Sequence, residues 1–272
     1  MQGLHEFIPT DVKASYINSL LRVGFDAIDF GSFVSPKAIP QLRDTAEVLD
    51  KLDLSETSTK LLAIVANLRG AKDAADFSQI KYLGFPFSVS EEFQKRNTNS
   101  TIEESLTRVE EIQDLCVKKN KELVLYISMG FGNPYGEDWN ADIVIKWIKT
   151  LSRLGVKIFA LSDTIGVSNP ENITHLFTHL IPEFPMIEFG AHLHSHPSAW
   201  EEKVNAAYQS GCRRFDSAIK GIGGCPMAKD ELVGNLATEN IVGYFDKINE
   251  TLTLNRDAFA VSLLNANATF RS

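Results

Sequence analysis

Seven short segments rich in apolar, β-branched and aromatic residues recur along the chain, and segments with a helical period separate them. Apolar runs of this length, bounded by Gly, Pro, Asn and Asp, predict buried strands. The predicted strands cover residues 25–33, 60–68, 79–88, 122–131, 157–164, 187–195 and 214–220. Apolar positions three and four residues apart predict helices over residues 71–76, 101–119, 141–155, 170–180 and 198–211. Two more helices are predicted, one before the first of these strands and one ending near Leu49.

Repeated strand-then-helix units predict a parallel sheet, and this many units predict the α/β class with a TIM (β/α)8 barrel. A closed barrel needs eight strands, whereas the pattern supplies seven. We therefore expect the N-terminal strand to be missing from this chain. Residues 1–272 are predicted to form a single catalytic domain, with 221–235 as a Gly-rich lid loop and 236–272 as C-terminal helices. An unclosed barrel exposes two strand edges, which favours a homodimer.

Composition narrows the class of protein and its partners. The 272 residues carry a net charge of −8, which argues against a nucleic-acid partner because binding to phosphates needs an excess of Lys and Arg. Three cysteines are too few for a disulfide framework and suit a reducing cytosol. No apolar run reaches membrane-spanning length, and the N-terminus lacks the pattern of a signal peptide. These features predict a cytoplasmic protein with no membrane partner.

Polar side chains gather where the predicted strands end: Asp29, Asp163, Thr164, His192 and His194. Active sites of barrel enzymes lie at the carboxyl ends of the strands. Strand alternation places His192 and His194 on one face, where two imidazoles can bind a single divalent metal. The alternative is structural, with the histidines hydrogen-bonded in the core and the two aspartates capping strand ends. Convergence from several strands favours a metal-dependent active site.

A glycine-rich stretch near the C-terminal end of the chain presents a cysteine. Gly221, Gly223 and Gly224 precede Cys225, and Pro226 follows it. Glycines give the backbone conformational freedom, and the proline argues against a central strand. The stretch predicts a thiol on a mobile lid; the alternative is a structural turn with an incidental cysteine.

At these residues the chain resembles the 3-hydroxy-3-methylglutaryl-CoA (HMG-CoA) lyase family, within the wider group of barrel metal-dependent lyases and Claisen-type synthases. The resemblance covers nearly the whole chain. It rests on Gly-Ser-Phe-Val-Ser-Pro-Lys at 31–37, Pro-Gln at 40–41, Ser-Asp-Thr-Ile-Gly-Val at 162–167, His-x-His at 192–194, Gly-Gly-Cys-Pro at 223–226 and Gly-Asn-Leu-Ala-Thr-Glu at 234–239. The Gly-Gly-Cys-Pro loop is the most specific motif, since it separates the lyases from related synthases.

The resemblance implies cleavage of HMG-CoA to acetyl-CoA and acetoacetate, a retro-Claisen reaction of leucine degradation, with Mg²⁺ or Mn²⁺ as cofactor. It makes His192, His194 and Asn235 the metal ligands, and Cys225 and Asp163 the catalytic residues. Cys225 is expected to exchange a proton with the product carbon, since a thiol with a pKa of about 8.5 can give up a proton at neutral pH. Asp163 is expected to lie near the substrate hydroxyl.

The resemblance also implies a group of substrate-binding and orienting residues, namely Gln2, Asp29, Ser32, Thr164 and Glu239. The phosphates of an acyl-CoA need cationic and backbone donors. Lys95, Arg96 and Asn97, in a predicted loop after the strand at 79–88, are the first candidates, and Lys220 is the second. Two structural alternatives stay open: a solvated charge pair at 95–97, and a last helix that begins with Asn235 as its N-cap.

Two departures from the family pattern affect the prediction. The family carries Arg-Asp-x-x-Gln at the end of its first strand, and of this pattern the chain has only Gln2, in agreement with the count of seven strands. After the histidines the family continues with Asp-Thr, whereas this chain has Ser-His-Pro at 195–197. A related aldolase or a synthase joining acetyl-CoA to a 2-keto acid, and a catalytically impaired truncated homologue that acts as a binding protein, therefore stay as alternatives.

Overall fold

The computed structural model describes residue 1, residue 4 and residues 6–224 and 233–270. Its strands are β1 (Ala27–Ser32), β2 (Lys60–Ile64), β3 (Ile80–Ser88), β4 (Glu122–Ser128), β5 (Ile158–Ser162), β6 (Glu188–His192), β7 (His194–Ser195), β8 (Arg214–Phe215) and β9 (Gly234–Asn235). Its helices are α1 (Thr10–Leu21), α2 (Thr45–Leu49), α3 (Leu68–Ala75), α4 (Glu91–Thr98), α5 (Ile102–Lys119), α6 (Ala141–Ser152), α7 (Pro170–Glu183), α8 (Trp200–Gln209), α9 (Thr238–Lys247) and α10 (Arg256–Thr269). Short 3₁₀ turns lie at Pro40–Leu42 and Ile219–Gly221.

Within the described part of the chain, seven strands form one parallel sheet in the order β1-β2-β3-β4-β5-β6-β8. The order follows the chain, and every connection between neighbouring sheet strands includes at least one helix. All the pairings in this sheet are parallel. The predicted α/β class is therefore confirmed.

Side-chain alternation divides the residues of each strand between two apolar layers. In β2, Leu61 and Ala63 pack in the large cluster that includes residues of the helices, whereas Leu62 joins Val124 and Ile158 in a smaller cluster. Successive side chains of a strand point to opposite faces, so the smaller cluster marks the inner face of the curled sheet. Asp29 is paired in register with Leu62 and lies on this inner face. The inner face thus carries both apolar and ionisable side chains.

The sheet has two ends, at β1 and β8, and these strands are not paired with each other among the described residues. The side chain of Asp29 on β1 is exposed to water, although its neighbours Ile28 and Phe30 are buried. Asp29 is therefore a point at which the inner face reaches solvent. No helix in the described ranges is both long and apolar enough to cross a membrane.

Several predicted elements differ from the observed ones. The strand predicted at 187–195 splits at Leu193 because β6 pairs with β5, whereas β7 turns to pair antiparallel with β9. The strand predicted at 214–220 ends at Phe215 and is followed by a 3₁₀ turn. The residues predicted as a loop at 95–97 belong to helix α4, which Ser90 caps by accepting a hydrogen bond from the N–H of Phe93. The acidic first turn and basic last turn of α4 are the local signals of this helix.

Candidate active site at the strand ends

The polar residues predicted at the strand ends do converge. His192 is the last residue of β6 and lies in register with Ser162, the last residue of β5. Asp163 follows at once, and its backbone N–H donates to the carbonyl of His192 over 3.0 Å. His194 in β7 pairs with Asn235 in β9. Parallel register and one short antiparallel ladder therefore bring together residues that are separated by up to 73 positions, from Ser162 to Asn235.

His194 is held in one tautomer by its surroundings. Its Nδ1 lies 3.0 Å from the backbone carbonyl oxygen of Thr164, which can only accept, so Nδ1 carries a proton. Burial, and secondarily the neighbouring His192, lower the pKa of His194 below its ordinary value. The ring is consequently neutral at pH 7, and its Nε2 presents a lone pair.

That lone pair faces a second acceptor. Nε2 of His194 lies 3.0 Å from Oδ1 of Asn235. The Asn235 amide is oriented by its Nδ2, which donates to the carbonyl of Ile222 over 3.2 Å. Two acceptors at this distance repel unless a cation or a proton lies between them, and an imidazole nitrogen with an amide oxygen is a suitable donor set for a divalent cation. We call these two atoms the facing pair.

His192 is oriented by a carboxylate that the sequence did not single out. Its Nδ1 lies 3.1 Å from Oδ2 of Asp216, the residue that follows β8, and its ring centroid is 5.7 Å from that of His194. Burial acts to raise the pKa of Asp216, but the hydrogen bond and charge of His192 and the charge of Arg214 hold it below its usual value. An ionised carboxylate on Nδ1 leaves Nε2 of His192 free as a ligand atom.

Among the described residues, no group of three or more His, Cys, Asp or Glu side chains is arranged to hold a metal ion. The candidate ligands His192, His194 and Asn235 instead supply two imidazoles and one amide oxygen, and their role as metal ligands stays a prediction. The resemblance implies an additional acidic ligand from the Arg-Asp-x-x-Gln pattern, of which the sequence given carries only Gln2. The donor set present fits a divalent cation but leaves ligand positions unfilled.

Asp163 is enclosed rather than presented to the site. Its side chain has no exposed surface. Oδ1 accepts from the N–H of Val167 over 2.8 Å, and Oδ2 accepts from the N–H and hydroxyl of Ser168 and from Nζ of Lys203. These bonds fold residues 163–168 into a tight strand-end loop. The carboxylate of Asp163 is thus bonded to groups of the chain itself, and its predicted catalytic role near the substrate hydroxyl stays a prediction.

The carboxylate of Asp29 has a shifted pKa. Desolvation by the surrounding protein, with a smaller contribution from the charge of Asp216, raises the pKa of Asp29 to about 7, although part of the residue reaches water. The Met1 ammonium and His192 oppose the rise. Asp29 therefore titrates near neutral pH, which suits a group that exchanges protons.

The other predicted substrate-binding residues make local hydrogen bonds. The Ser32 hydroxyl accepts from the N–H of Val34, and the Thr164 hydroxyl accepts from the N–H of Met129. Glu239 accepts from the N–H of Lys220 and lies in the first turn of α9. Helix α9 begins at Thr238 with Ala237 as its N-cap, so the alternative that Asn235 caps the last helix is wrong.

Cys225 and Gln2 lie outside the described residues, so their predicted roles stay predictions. The chain before the cysteine is described up to Gly224, and its Ile222 carbonyl accepts a hydrogen bond from the candidate ligand Asn235.

The predicted CoA-binding residues lie on helix α4 and are already paired within it. Lys95 contacts Glu91 at 3.2 Å and Arg96 contacts Glu92 at 2.6 Å. Their side chains are about half exposed, and the Arg96 guanidinium lies 4.9 Å from the ring centroid of Tyr135. Lys220 donates to Asn267. Such exposed pairs are weak, so both cations can exchange their partners for a phosphate.

Sequence reasoning missed two residues of this region, Asp216 and Lys203. Asp216 follows a strand and could have been found by the same rule that selected Asp163. Lys203 lies next to Val204 on the buried side of α8 and is itself 3% exposed. A charge on the apolar stripe of a helix was the available signal, because Lys is almost never fully buried without a partner.

The fold and the site define this chain as an α/β-barrel protein with a His-x-His pair at the strand ends. A sequence model described as HMGL-like matches residues 1–256. The chain is 33% identical over 249 residues to hydroxymethylglutaryl-CoA lyase YngG of Bacillus subtilis, covering 92% of this chain and 82% of that protein. The chain belongs to the HMGL-like family.

Solved structures agree with this assignment. The HMG-CoA lyase of Brucella melitensis superposes with a TM-score of 0.91 at 27% identity, covering all of this chain and 95% of that one. An HMG-CoA lyase of Acinetobacter baumannii, solved with coenzyme A and 3-methylmalate, superposes with a TM-score of 0.90 at 30% identity. That match covers 98% of this chain and 87% of the other. The seven-stranded sheet is therefore the sheet of a lyase barrel of this family.

Proposed function

We propose that this protein is a divalent-metal-dependent lyase that cleaves HMG-CoA to acetyl-CoA and acetoacetate. The observation that carries the proposal is the facing pair, in which a neutral His194 and Asn235 direct two acceptors at each other at the strand ends of this fold. Relatives that match most of the chain are named as lyases of this substrate. The bound coenzyme A in one structural relative supports an acyl-CoA substrate.

Retro-Claisen cleavage needs the removal of a hydroxyl proton, stabilisation of the resulting alkoxide and protonation of the leaving enolate. His192, His194 and Asn235 would hold Mg²⁺ or Mn²⁺, which supplies Lewis acidity and orients the substrate oxygens. Asp216 fixes the ring of His192, and the Thr164 carbonyl fixes that of His194. Asp29 is suited to accept the hydroxyl proton, since its pKa of about 7 matches the pH of the reaction.

Cys225 would protonate the enolate carbon. The other cysteines are unsuitable, because Cys116 and Cys212 are buried and burial raises the pKa of each thiol to about 12. This difference supplies a labelling test: iodoacetamide at pH 8 should modify Cys225 in the native protein and stop turnover. Full modification of Cys225, mapped by mass spectrometry, with turnover retained would contradict its role. Cys225→Ser should lower kcat by about 10²- to 10⁴-fold.

The lyase test measures acetyl-CoA and acetoacetate from HMG-CoA with Mg²⁺ or Mn²⁺. It is made on this chain and on a version extended by a strand that carries the Arg-Asp-x-x-Gln pattern. Among the described residues β1 and β8 are the two end strands of the sheet and are not paired with each other, which supports testing a strand added beside them. Turnover by either form supports the lyase. Turnover by neither form, with folding verified by circular dichroism, would overturn it.

The same assay separates the remaining alternatives. An aldolase or synthase would instead turn over other keto acids or CoA thioesters in a substrate panel. A binding protein would take up HMG-CoA, measured calorimetrically, without releasing products.

Cation binding is tested apart from turnover. Asn235→Ala should weaken Mn²⁺ binding by at least about 10-fold, because it removes one atom of the facing pair. Asn235→Asp keeps an oxygen ligand and should bind Mn²⁺ at least as well as the wild type. Equal Mn²⁺ affinity in the wild type and Asn235→Ala, by electron paramagnetic resonance, would exclude Asn235 as a ligand.

We also propose a homodimer in the cytoplasm. The unpaired edges of β1 and β8 support association, since free strand edges pair with other chains. A cytoplasmic relative from the rat supports the location, although a bovine relative is mitochondrial. A monomer by light scattering, or a mitochondrial signal from a tagged chain in eukaryotic cells, would contradict the respective proposal.

A further inference from the structure

Lys203 is a buried ammonium that no step of the proposed reaction uses. Its side chain is 4% exposed, on the inward side of α8. Nζ contacts Asp163 Oδ2 at 3.0 Å, the His194 carbonyl at 2.9 Å and the Gly166 carbonyl at 3.2 Å. An ammonium has three N–H donors, so each proton has one acceptor.

The three acceptors belong to two segments that form the candidate site. Asp163 and Gly166 lie in the strand-end loop 163–168, whereas His194 lies in β7. Lys203 therefore joins the loop to the strand that carries the candidate ligand. A buried ion pair is weak evidence for stability, because apolar residues of similar volume often serve as well. Stability alone therefore does not explain why all three N–H donors of Lys203 bond to segments of the candidate site.

The loop also contains the residue that orients His194. Thr164, between Asp163 and Gly166, accepts the Nδ1 proton of His194 through its carbonyl. The Lys203 ammonium thus bonds to the backbone of His194 and to the backbone of the loop. The His194 imidazole makes a second connection between β7 and the loop. A shift of the loop relative to β7 would rotate the ring and turn Nε2 away from Asn235.

We infer that Lys203 is a positioning residue that sets the orientation of the His194 ring toward its cation by holding loop 163–168 against β7. The metal part of this inference rests on the proposed function, whereas the orientation of the ring does not. The same chain offers a matched control in Lys13, which is 2% exposed and pairs with Asp44 at 2.7 Å. The other acceptor of Lys13 is the Gln41 carbonyl, and neither partner contacts His194.

The first experiment needs no metal and no substrate. Proton exchange at His194 Nδ1 is measured by ¹⁵N NMR of the histidine-labelled protein, and the signal is assigned with His194→Gln. Lys203→Met should speed exchange by at least about 10-fold, a modest part of the protection that a buried hydrogen bond provides. Lys13→Met should leave the exchange rate unchanged. Equal rates in the wild type and Lys203→Met would overturn the inference.

The second experiment measures Mn²⁺ affinity by electron paramagnetic resonance. Loss of an outer partner of a ligand typically weakens metal binding about 10- to 100-fold, and we expect this range for Lys203→Met but not for Lys13→Met. Lys203→Gln keeps two N–H donors without the charge and should recover part of the lost Mn²⁺ affinity. It replaces Lys203→Met in this experiment if the methionine variant does not fold. Weakening by Lys13→Met to the same extent would show a general loss of stability and would contradict the inference.

Kinetics then separate this inference from the lyase proposal. In an active form, Lys203→Met should lower kcat more than it raises KM for HMG-CoA, since Lys203 does not touch substrate in this assignment. Protection of His194 Nδ1 that depends on Lys203 supports the inference even where no HMG-CoA is cleaved. If Lys203→Met still cleaves HMG-CoA and its exchange rate at His194 Nδ1 equals that of the wild type, the lyase proposal stands and the positioning role is contradicted.

Discussion

Two buried Lys–Asp pairs of nearly the same chemistry have different neighbours. Lys13 and Asp44 join α1 to the segment before α2, where the Thr10 hydroxyl also donates to Asp44 over 2.7 Å. Lys203 and Asp163 join α8 to the end of β5 and the start of β7. Both pairs are more than nine-tenths buried. The lysine of the first pair also contacts the Gln41 carbonyl, away from the candidate site, whereas the lysine of the second pair contacts the backbone carbonyl of the candidate ligand His194.

The comparison shows that burial and pairing alone do not reveal the role of a charge. Desolvation of two ions costs several kcal/mol in either place, and the partner charge offsets it to a similar extent. What differs is the set of remaining acceptors, which is Gln41 for Lys13 but Gly166 and His194 for Lys203. The acceptors therefore decide whether a disturbed pair affects only stability or also the site.

The largest expected effect comes from neutralising either carboxylate. Asp163→Asn and Asp44→Asn each leave a buried ammonium without its counter-charge, and we expect each to lower the free energy of unfolding by about 3–5 kcal/mol. Urea denaturation measures this cost. The comparison holds if the two costs agree within about 1 kcal/mol while only Asp163→Asn weakens Mn²⁺ binding. Weaker Mn²⁺ binding in Asp44→Asn as well would break it.

A smaller effect is expected at the third acceptor of Lys203. Gly166 has a φ of +74°, and a Cβ there would lie 2.4 Å from Cγ1 of Val233. Gly136 has a φ of +77° with nothing within 4 Å of its Cβ position, so it is the matched control for backbone strain. Both alanine variants should lose about 1–2 kcal/mol from the left-handed backbone.

Gly166→Ala should lose a further 1–3 kcal/mol, roughly the cost of overpacking. It should also speed His194 Nδ1 exchange, since the displaced carbonyl belongs to the Lys203 contacts. Equal free energies of unfolding for the two alanine variants, measured in urea, would contradict this. They would show that Val233 moves aside at no cost in stability and that loop 163–168 tolerates the added methyl group.

The smallest effect is a difference in thiol reactivity. Cys212 is bonded through its N–H to the Ala207 carbonyl of α8, whereas Cys116 lies in α5. With a pKa of about 12, each thiol is ionised in roughly 1 of 10,000 molecules at pH 8, so alkylation requires local or global opening. Asp163→Asn should expose Cys212 before Cys116, because α8 loses its contact with the loop.

In Asp44→Asn the two cysteines should instead react at similar rates, through global unfolding. Time-resolved alkylation with mass spectrometry distinguishes these patterns. Selective exposure of Cys212 in the Asp44 variant would mean that the two lysine pairs belong to one cooperative unit.

The architecture could be predicted from the sequence because burial requires apolar residues at regular spacings along strands and helices. Every strand of the parallel sheet lies within a predicted apolar segment, since strands covered on both faces need nearly continuous apolar residues. The His-x-His pair was also within reach, because strand ends of parallel sheets meet on one side. Helix α4 was missed although its cap and its charges were local signals, so that error lay in the interpretation.

What the sequence determined by itself is thus the fold class, the order of the strands and the candidate ligands at their ends. Only the tertiary structure showed that Lys203 contacts Asp163, 40 residues away, and that Asp216 orients His192. It alone showed the break after His192, where pairing passes from β5 to β9. Periodicity records whether a residue is buried, but the partner of a buried polar group is set by distances between segments far apart in the chain.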